Sequence, residues 1–296
     1  MALSASDPET VIRALPIWFG EIEIEPLLGG ITNKNYLVTD RERRAVVRFG
    51  GDIPVHGVMR FNELAATRAA GEAGISPKVL YAAPSVLVLD YITGRSYGPD
   101  DVRADRERCV AMVKRVHREI AKHLRGPTLA FNVFHIIRDY ARTLVEDQSR
   151  MATRLPRLLS VAEALERAVG PIDLVFAHND LLAANFIDDG KRLWLVDWDY
   201  AGWNTPLFDL GGLASNNGFD EDDNEAMLSA YFEAPVTDAT RRKFHAMLCA
   251  SLLREAMWSM VSELRSTIDF DYVAYTDENL RRFGAAWAAF QKMERT

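Results

Sequence analysis

The feature that most constrains the fold is a change of hydrophobic period about a third of the way along the 296 residues. Up to Ile92 the apolar residues come in short strand-like runs. Glu21 to Leu28 alternates Ile22 and Ile24, then Leu27, and ends in Gly29-Gly30. Asn35 to Val38 and Ala45 to Phe49 read as a second and third short strand, joined by the charged turn Thr39 to Arg44; Lys78 to Tyr81 and Val86 to Ile92 resume strand character. Alternation at period two sets one face of a strand on a core. Only Val58 to Ala70, alanine-rich and charge-bearing, reads as a helix in this part, with Gly71 and Gly74 to stop it. After Thr93-Gly94 the spacing becomes helical over Asp105 to Leu124, Phe134 to Arg150, Pro156 to Val169, Asp222 to Phe232, Asp238 to Arg265 and Asp277 to Met293. A compact β-like insert interrupts these helices: the apolar Leu174 to Ala177, then Leu193 to Asp197, a strand ending on an acid. The expected architecture is α+β and bilobal. A small β-rich N-terminal lobe (1–92) precedes a larger helical C-terminal lobe (93–296), with a hinge near Asp90 to Gly94. Clefts between lobes favour small-molecule sites.

The densest chemical signal is His178-Asn179-Asp180-Leu181-Leu182-Ala183-Ala184-Asn185, followed by Asp197. Phosphoryl transfer needs a carboxylate that orients the attacking hydroxyl and takes its proton, oxygen ligands for magnesium, and basic groups for the phosphates. An aspartate, four residues and an asparagine is the spacing of the kinase catalytic loop, and Asp197 stands where a second metal-binding aspartate is required. The expected roles are Asp180 as base, with Asn185 and Asp197 as magnesium ligands. Taken singly, each has a plainer reading as a turn cap, a backbone partner or an exposed strand end. His178 belongs to the same candidate catalytic loop, and hydrogen-bonded support of the loop is its simpler role.

Upstream, the turn Leu28 to Tyr36 contains Gly29, Gly30, Thr32 and Asn33, where glycines let a backbone approach phosphates. A plain hairpin explains it equally well. Arg48, on the third strand, occupies the place of a phosphate-binding lysine, and Glu63 on the next helix is placed to pair with it. Val86 to Asp90 would lead into the hinge, whose backbone would meet adenine. The nucleotide side of the site is therefore expected to be Gly29, Gly30, Thr32, Asn33, Arg48, Glu63 and Asp90, with ATP and Mg2+ as cofactors.

Charge and composition narrow the partners. A formal net charge of −7 opposes nucleic-acid binding, which requires a basic face. Apolar content of 48% with 26% charged residues is that of a folded chain. There is no run of about 18 apolar residues to span a membrane, and the first residues lack a secretory pattern. Cys109 and Cys249, far apart and without metal-ligand spacing, read as buried free thiols. The expectation is a cytoplasmic protein with neither nucleic-acid nor membrane partners; a homodimer stays open.

These residues resemble the choline/ethanolamine kinase branch of the aminoglycoside phosphotransferase and protein-kinase-like superfamily. The resemblance runs through Gly29-Gly30-Ile31-Thr32-Asn33, Val47-Arg48, Ile75-Ser76-Pro77-Lys78-Val79-Leu80-Tyr81 and His178-Asn179-Asp180. It continues over Val196-Asp197-Trp198-Asp199-Tyr200-Ala201-Gly202-Trp203-Asn204 and Phe208-Asp209-Leu210, and reaches the C-terminal helices at Trp258-Ser259-Met260, Asp269 to Tyr272 and Tyr275. It implies a protein-kinase-like fold and transfer of the ATP γ-phosphate to the hydroxyl of choline or a related amino alcohol. It also implies that Asp209 braces the catalytic loop, and an acceptor site drawn from Asp199, Tyr200, Glu255, Trp258 and Tyr275. Glu255 stands where eukaryotic relatives place a tryptophan, and Asn216 where they place an acid. An aminoglycoside, thiamine or sugar acceptor, or a kinase-like binding protein without turnover, are the alternatives.

Overall fold

The computed structural model describes residues 7–27 and 33–295. A short helix α1 (Pro8–Arg13) precedes strands β1 (Ile22–Leu27), β2 (Lys34–Asp40) and β3 (Arg43–Phe49); helix α2 (Arg60–Glu72), β4 (Val79–Ala83) and β5 (Val86–Asp90) follow. These strands form one antiparallel sheet in the order β1-β2-β3-β5-β4. Period two decides what each face does. Val38, Ala45, Val47, Val86 and Val88 point to one side and close a small core with Ile12 of α1 and Ile22. Arg48, next to Val47, points to the other side, toward α2.

The helix α2 buries Ala66, Ala69 and Ala70 in a second, larger core. It runs through Gly71, which was expected to stop it; Gly74, at φ +66°, makes the turn instead. The chain then passes β6 (Arg95–Ser96), α3 (Pro99–Ala104), α4 (Arg106–Glu119), α5 (Val133–Glu146), α6 (Leu155–Val169), β7 (Val175–Ala177), β8 (Phe186–Asp188), β9 (Leu193–Leu195) and β10 (Gly202–Asn204). It ends in α7 (Pro206–Asn217), α8 (Glu221–Phe232), α9 (Asp238–Arg265) and α10 (Tyr272–Met293). The long α9 is the axis of the larger core, covered by α5, α6, α7 and α10. Such all-round packing is why its apolar residues do not keep to one stripe. The β-insert makes two small sheets, β6-β8-β9 and β7-β10. Both cysteines are buried and free, and among the described residues no helix is long and apolar enough to cross a membrane.

Candidate active site

The β-insert brings the acids together. In the β8–β9 hairpin Phe186 lies opposite Leu195, and the Val196 amide donates to the Asn185 carbonyl at 3.0 Å. Asn185, just before one strand, and Asp197, just after the other, are thereby set at the same mouth. Asn185 Nδ2 donates to the Asp180 carbonyl at 2.9 Å, which ties it to the loop and leaves Oδ1 as its free acceptor atom. Asp197 sits at φ +70° and Asn179 at φ +66°, backbone that non-glycine residues adopt at a cost. The Asn179 amide holds its twist by donating to the Tyr200 carbonyl at 2.9 Å and accepting from Asn204 at 2.8 Å.

Asp209, in the first turn of α7, accepts from the amides of His178 (2.9 Å) and Asn179 (2.7 Å) and from His117 Nε2 (2.9 Å). Burial pushes its carboxyl up, but these donors outweigh burial and hold it below the usual range. The loop is thus suspended from one buried carboxylate. His178 is fully buried; Nε2 donates to the Val196 carbonyl at 3.0 Å, and Nδ1 accepts from the Asp180 amide at 3.3 Å. Burial holds its pKa down and the ring neutral. His178 is therefore placed as a positioning residue, not among the groups that touch substrate. Burial raises the Asp180 carboxyl to about 8, against the pull of Arg254 and with the push of Glu255, Asp197 and Asp199.

On the sheet side, two guanidinium groups face three carboxylates. Arg48 contacts Glu63 (3.2 Å), Asp197 (2.7 Å) and Asp199 (2.9 Å); Arg60 contacts Glu63 (2.6 Å) and Asp199 (2.8 Å). Asn33 joins them, donating to Asp199 at 3.0 Å and accepting from Arg60 at 3.0 Å. Burial raises the Asp197 carboxyl, and Arg48 more than offsets it, leaving the group lowered. A cavity opens beside this network, between Arg48, Arg60, Glu63, Leu64 and the β4–β5 turn. Asp199, expected with the acceptor residues, belongs instead to this side. Asp90 lies at the end of β5 with its amide bonded to the Lys78 carbonyl, outside that cavity. Gly29, Gly30 and Thr32 lie outside the described residues.

On the other side of Asp180 is a narrow cavity between the loop, α7 and α9, lined by Asp180, Ser215, Asn216, Ser251, Arg254 and Glu255 among others. Glu255 accepts from the Tyr275 hydroxyl and from Arg254, each at 2.8 Å. Trp258 is buried and does not line this cavity: Nε1 donates to the Tyr200 hydroxyl at 2.9 Å, and its ring is enclosed by His56, Tyr272 and Tyr275. Of the five acceptor-side candidates the structure joins Tyr200, Glu255, Trp258 and Tyr275 in one cluster, in which Glu255 lines the cavity. Arg60 and Arg254 were not read from the sequence. Each carried one available signal, an acid neighbour at three residues or one, but an acid neighbour does not name the distant partners.

The phosphotransferase enzyme family model matches residues 23–245, most of the chain. The chain belongs to the phosphotransferase enzyme family. Among relatives of this phosphotransferase is ethanolamine kinase 2 of Mus musculus, 28% identical over 303 residues, covering 90% of this chain and 77% of the relative. A choline/ethanolamine kinase family protein of Mesorhizobium loti superposes with a TM-score of 0.77 at 27% identity, covering 96% of this chain and 95% of that one. Choline kinase LicA from Streptococcus pneumoniae, with TM-score 0.76, 24% identity and coverage of 94% and 97%, shares the fold. The α+β architecture expected from the change of period, and the kinase-like fold that the resemblance implies, are thus those of the family.

Proposed function

We propose that this phosphotransferase moves the terminal phosphoryl group of ATP to the hydroxyl of a small amino alcohol, as its ethanolamine and choline kinase relatives are named for doing. The observation that carries the reading is the position of Asp180. It stands between a phosphate side (Arg48, Asn185, Asp197) and a cavity that presents Glu255, a carboxylate suited to an ammonium group. On this reading residues 1–92 supply the nucleotide side, and 93–296 the catalytic loop and the acceptor cavity.

Asn185 Oδ1 and the Asp197 carboxylate are hard oxygen donors at one mouth and fit magnesium. Two protein ligands suffice, since that ion keeps waters and substrate phosphate oxygens, and among the described residues no group of three or more His, Cys, Asp or Glu is arranged to hold a metal ion. When bound, magnesium would neutralise charge on the phosphates and help keep Asp180 ionised. The chain's own residues do the rest. Arg48 holds phosphate oxygens, and Asp180 orients the acceptor hydroxyl and takes its proton. The acceptor oxygen bonds to the γ-phosphorus as the bond to the β-phosphate oxygen breaks. Products are a phosphomonoester, ADP and the proton.

Asp180→Asn tests this. General-base catalysis contributes about 10²–10⁴-fold, so turnover should fall at least about a hundredfold while nucleotide affinity and melting temperature stay near wild type. Following ADP release with ethanolamine, choline and an aminoglycoside checks both base and acceptor. Near-normal turnover by the variant would remove Asp180 as base, and a wild type active on the aminoglycoside alone would remove the amino-alcohol reading.

A further inference from the structure

The acceptor cavity holds a charge that a bare amino alcohol does not need. Arg254, on α9, is about 5% exposed and lines the cavity. Its Nη1 donates to Glu255 at 2.8 Å, while Nε and Nη2 are buried with no acceptor in hydrogen-bond geometry. The Tyr140 hydroxyl, which meets His56 Nδ1 at 3.1 Å, lies beside the guanidinium but is neutral and supplies it no second anion. The guanidinium lies over the ring of Tyr200 at 4.6 Å and that of Phe131 at 5.6 Å. A ring face available to a quaternary ammonium is therefore already covered by the protein's own cation, and Trp258 is enclosed. A trimethylammonium group here would sit against a like charge.

Buried donors without acceptors are rare enough to require a partner, and a guanidinium fork matches a carboxylate. Arg254 does not share the phosphate side: none of Arg48, Asn185 or Asp197 lines its cavity. The anion it awaits belongs to the acceptor. Beside it the Glu255 side chain, 24% exposed, keeps lone pairs for an ammonium. Adjacent cation and anion are the complement of a zwitterion.

We propose that the acceptor cavity selects a small hydroxy amino acid, with Arg254 binding the carboxylate, Glu255 the ammonium and Asp180 the hydroxyl. This rests on the reading of Asp180 as base in an amino-alcohol kinase and narrows the acceptor within it. The transfer step is unchanged: the side-chain oxygen bonds to the γ-phosphorus, ADP leaves, and the hydroxyl proton passes to Asp180.

Matched pairs test it: L-serine against ethanolamine and L-homoserine against 3-aminopropanol, each pair differing by the carboxylate alone. With wild-type protein, kcat/KM should favour at least one hydroxy amino acid over its amine by about tenfold or more. In Arg254→Gln that preference should collapse, the hydroxy amino acid losing at least about tenfold more than the amine, since the loss of Arg254's pull on Asp180 affects every acceptor alike. Amines or choline preferred by the wild type would overturn the inference while leaving the kinase reading intact. So would equal losses with every acceptor in the variant, which would make Arg254 a phosphate or structural residue. Should the variant fail to fold, the wild-type comparison alone decides. Calorimetric titration with ADP present separates the two readings: a hydroxy amino acid that binds without turnover upholds the pocket and fails the activity, and one that neither binds nor reacts overturns the pocket.

Discussion

Asp209 shows how much one buried carboxylate carries. It accepts from two consecutive amides and from His117, whose other ring nitrogen meets the Tyr231 hydroxyl at 2.8 Å. In Asp209→Asn one acceptor oxygen becomes an NH₂ group facing a donor, and a buried amide or imidazole loses its partner at about 1–3 kcal/mol. The expected result is a drop of that size in urea unfolding together with lower kcat, because Asn179 and Asp180 lose their anchor. Unchanged stability would mean that other groups hold the loop. The Asp180–Asn185 spacing was legible because it is local. Arg48 and Asp197 are separated by 149 positions and meet only through the sheet and the hairpin. Arg60 and Arg254 were illegible for that reason: a surface arginine and a buried one are the same letter until tertiary packing assigns the burial.

At the scale of elements, period and length decided what could be read. The sheet strands are short apolar runs bounded by turns, and α9 runs from Asp238 to Arg265 as its spacing indicated. Three helices escaped, among them the six-residue α1, as short as α3. The six-residue α3 is too short to show a period, and α7 hides behind Gly211-Gly212, a pair that reads as a loop. Gly211 has a packing role: a Cβ there would lie 2.9 Å from the Leu248 amide nitrogen in the backbone of α9. Backbone cannot yield as a flexible side chain does, so Gly211→Ala must push α7 away from α9. Overpacking of this kind costs about 1–3 kcal/mol, more than alanine's gain of about 1 kcal/mol in helix propensity. Thermal unfolding should show a lower Tm, and, because α7 carries Asp209, turnover should fall at temperatures where the variant is still folded. A Tm at or above wild type would show that the crossing is looser than this.

Across the whole molecule, the sheet and the helical core are joined by polar contacts as well as apolar ones, and His56 is one such joint. It closes the turn before α2, and its ring contacts Tyr140 of α5 at 3.1 Å through Nδ1 and Ser262 of α9 at 3.2 Å through Nε2. Burial, helped by the charge of Arg254, lowers its pKa from the ordinary 6.5 to about 3. Folding therefore holds this imidazole neutral where the unfolded chain would protonate it. The contribution to stability is fully present above pH 6.5 and is lost as pH falls from there toward 3, since the unfolded state binds the proton first. At pH 5 the loss is about 2 kcal/mol, from some one and a half units at about 1.4 kcal/mol each. Other buried groups titrate over the same range, so the comparison is with His56→Asn, which cannot take up the proton. That variant should be less stable than wild type at pH 7.5, and its urea-unfolding free energy should fall by about 2 kcal/mol less between pH 7.5 and 5. Parallel losses in the two proteins would mean that His56 is protonated in the folded state, and that the joint between turn and helices opens well before the fold does.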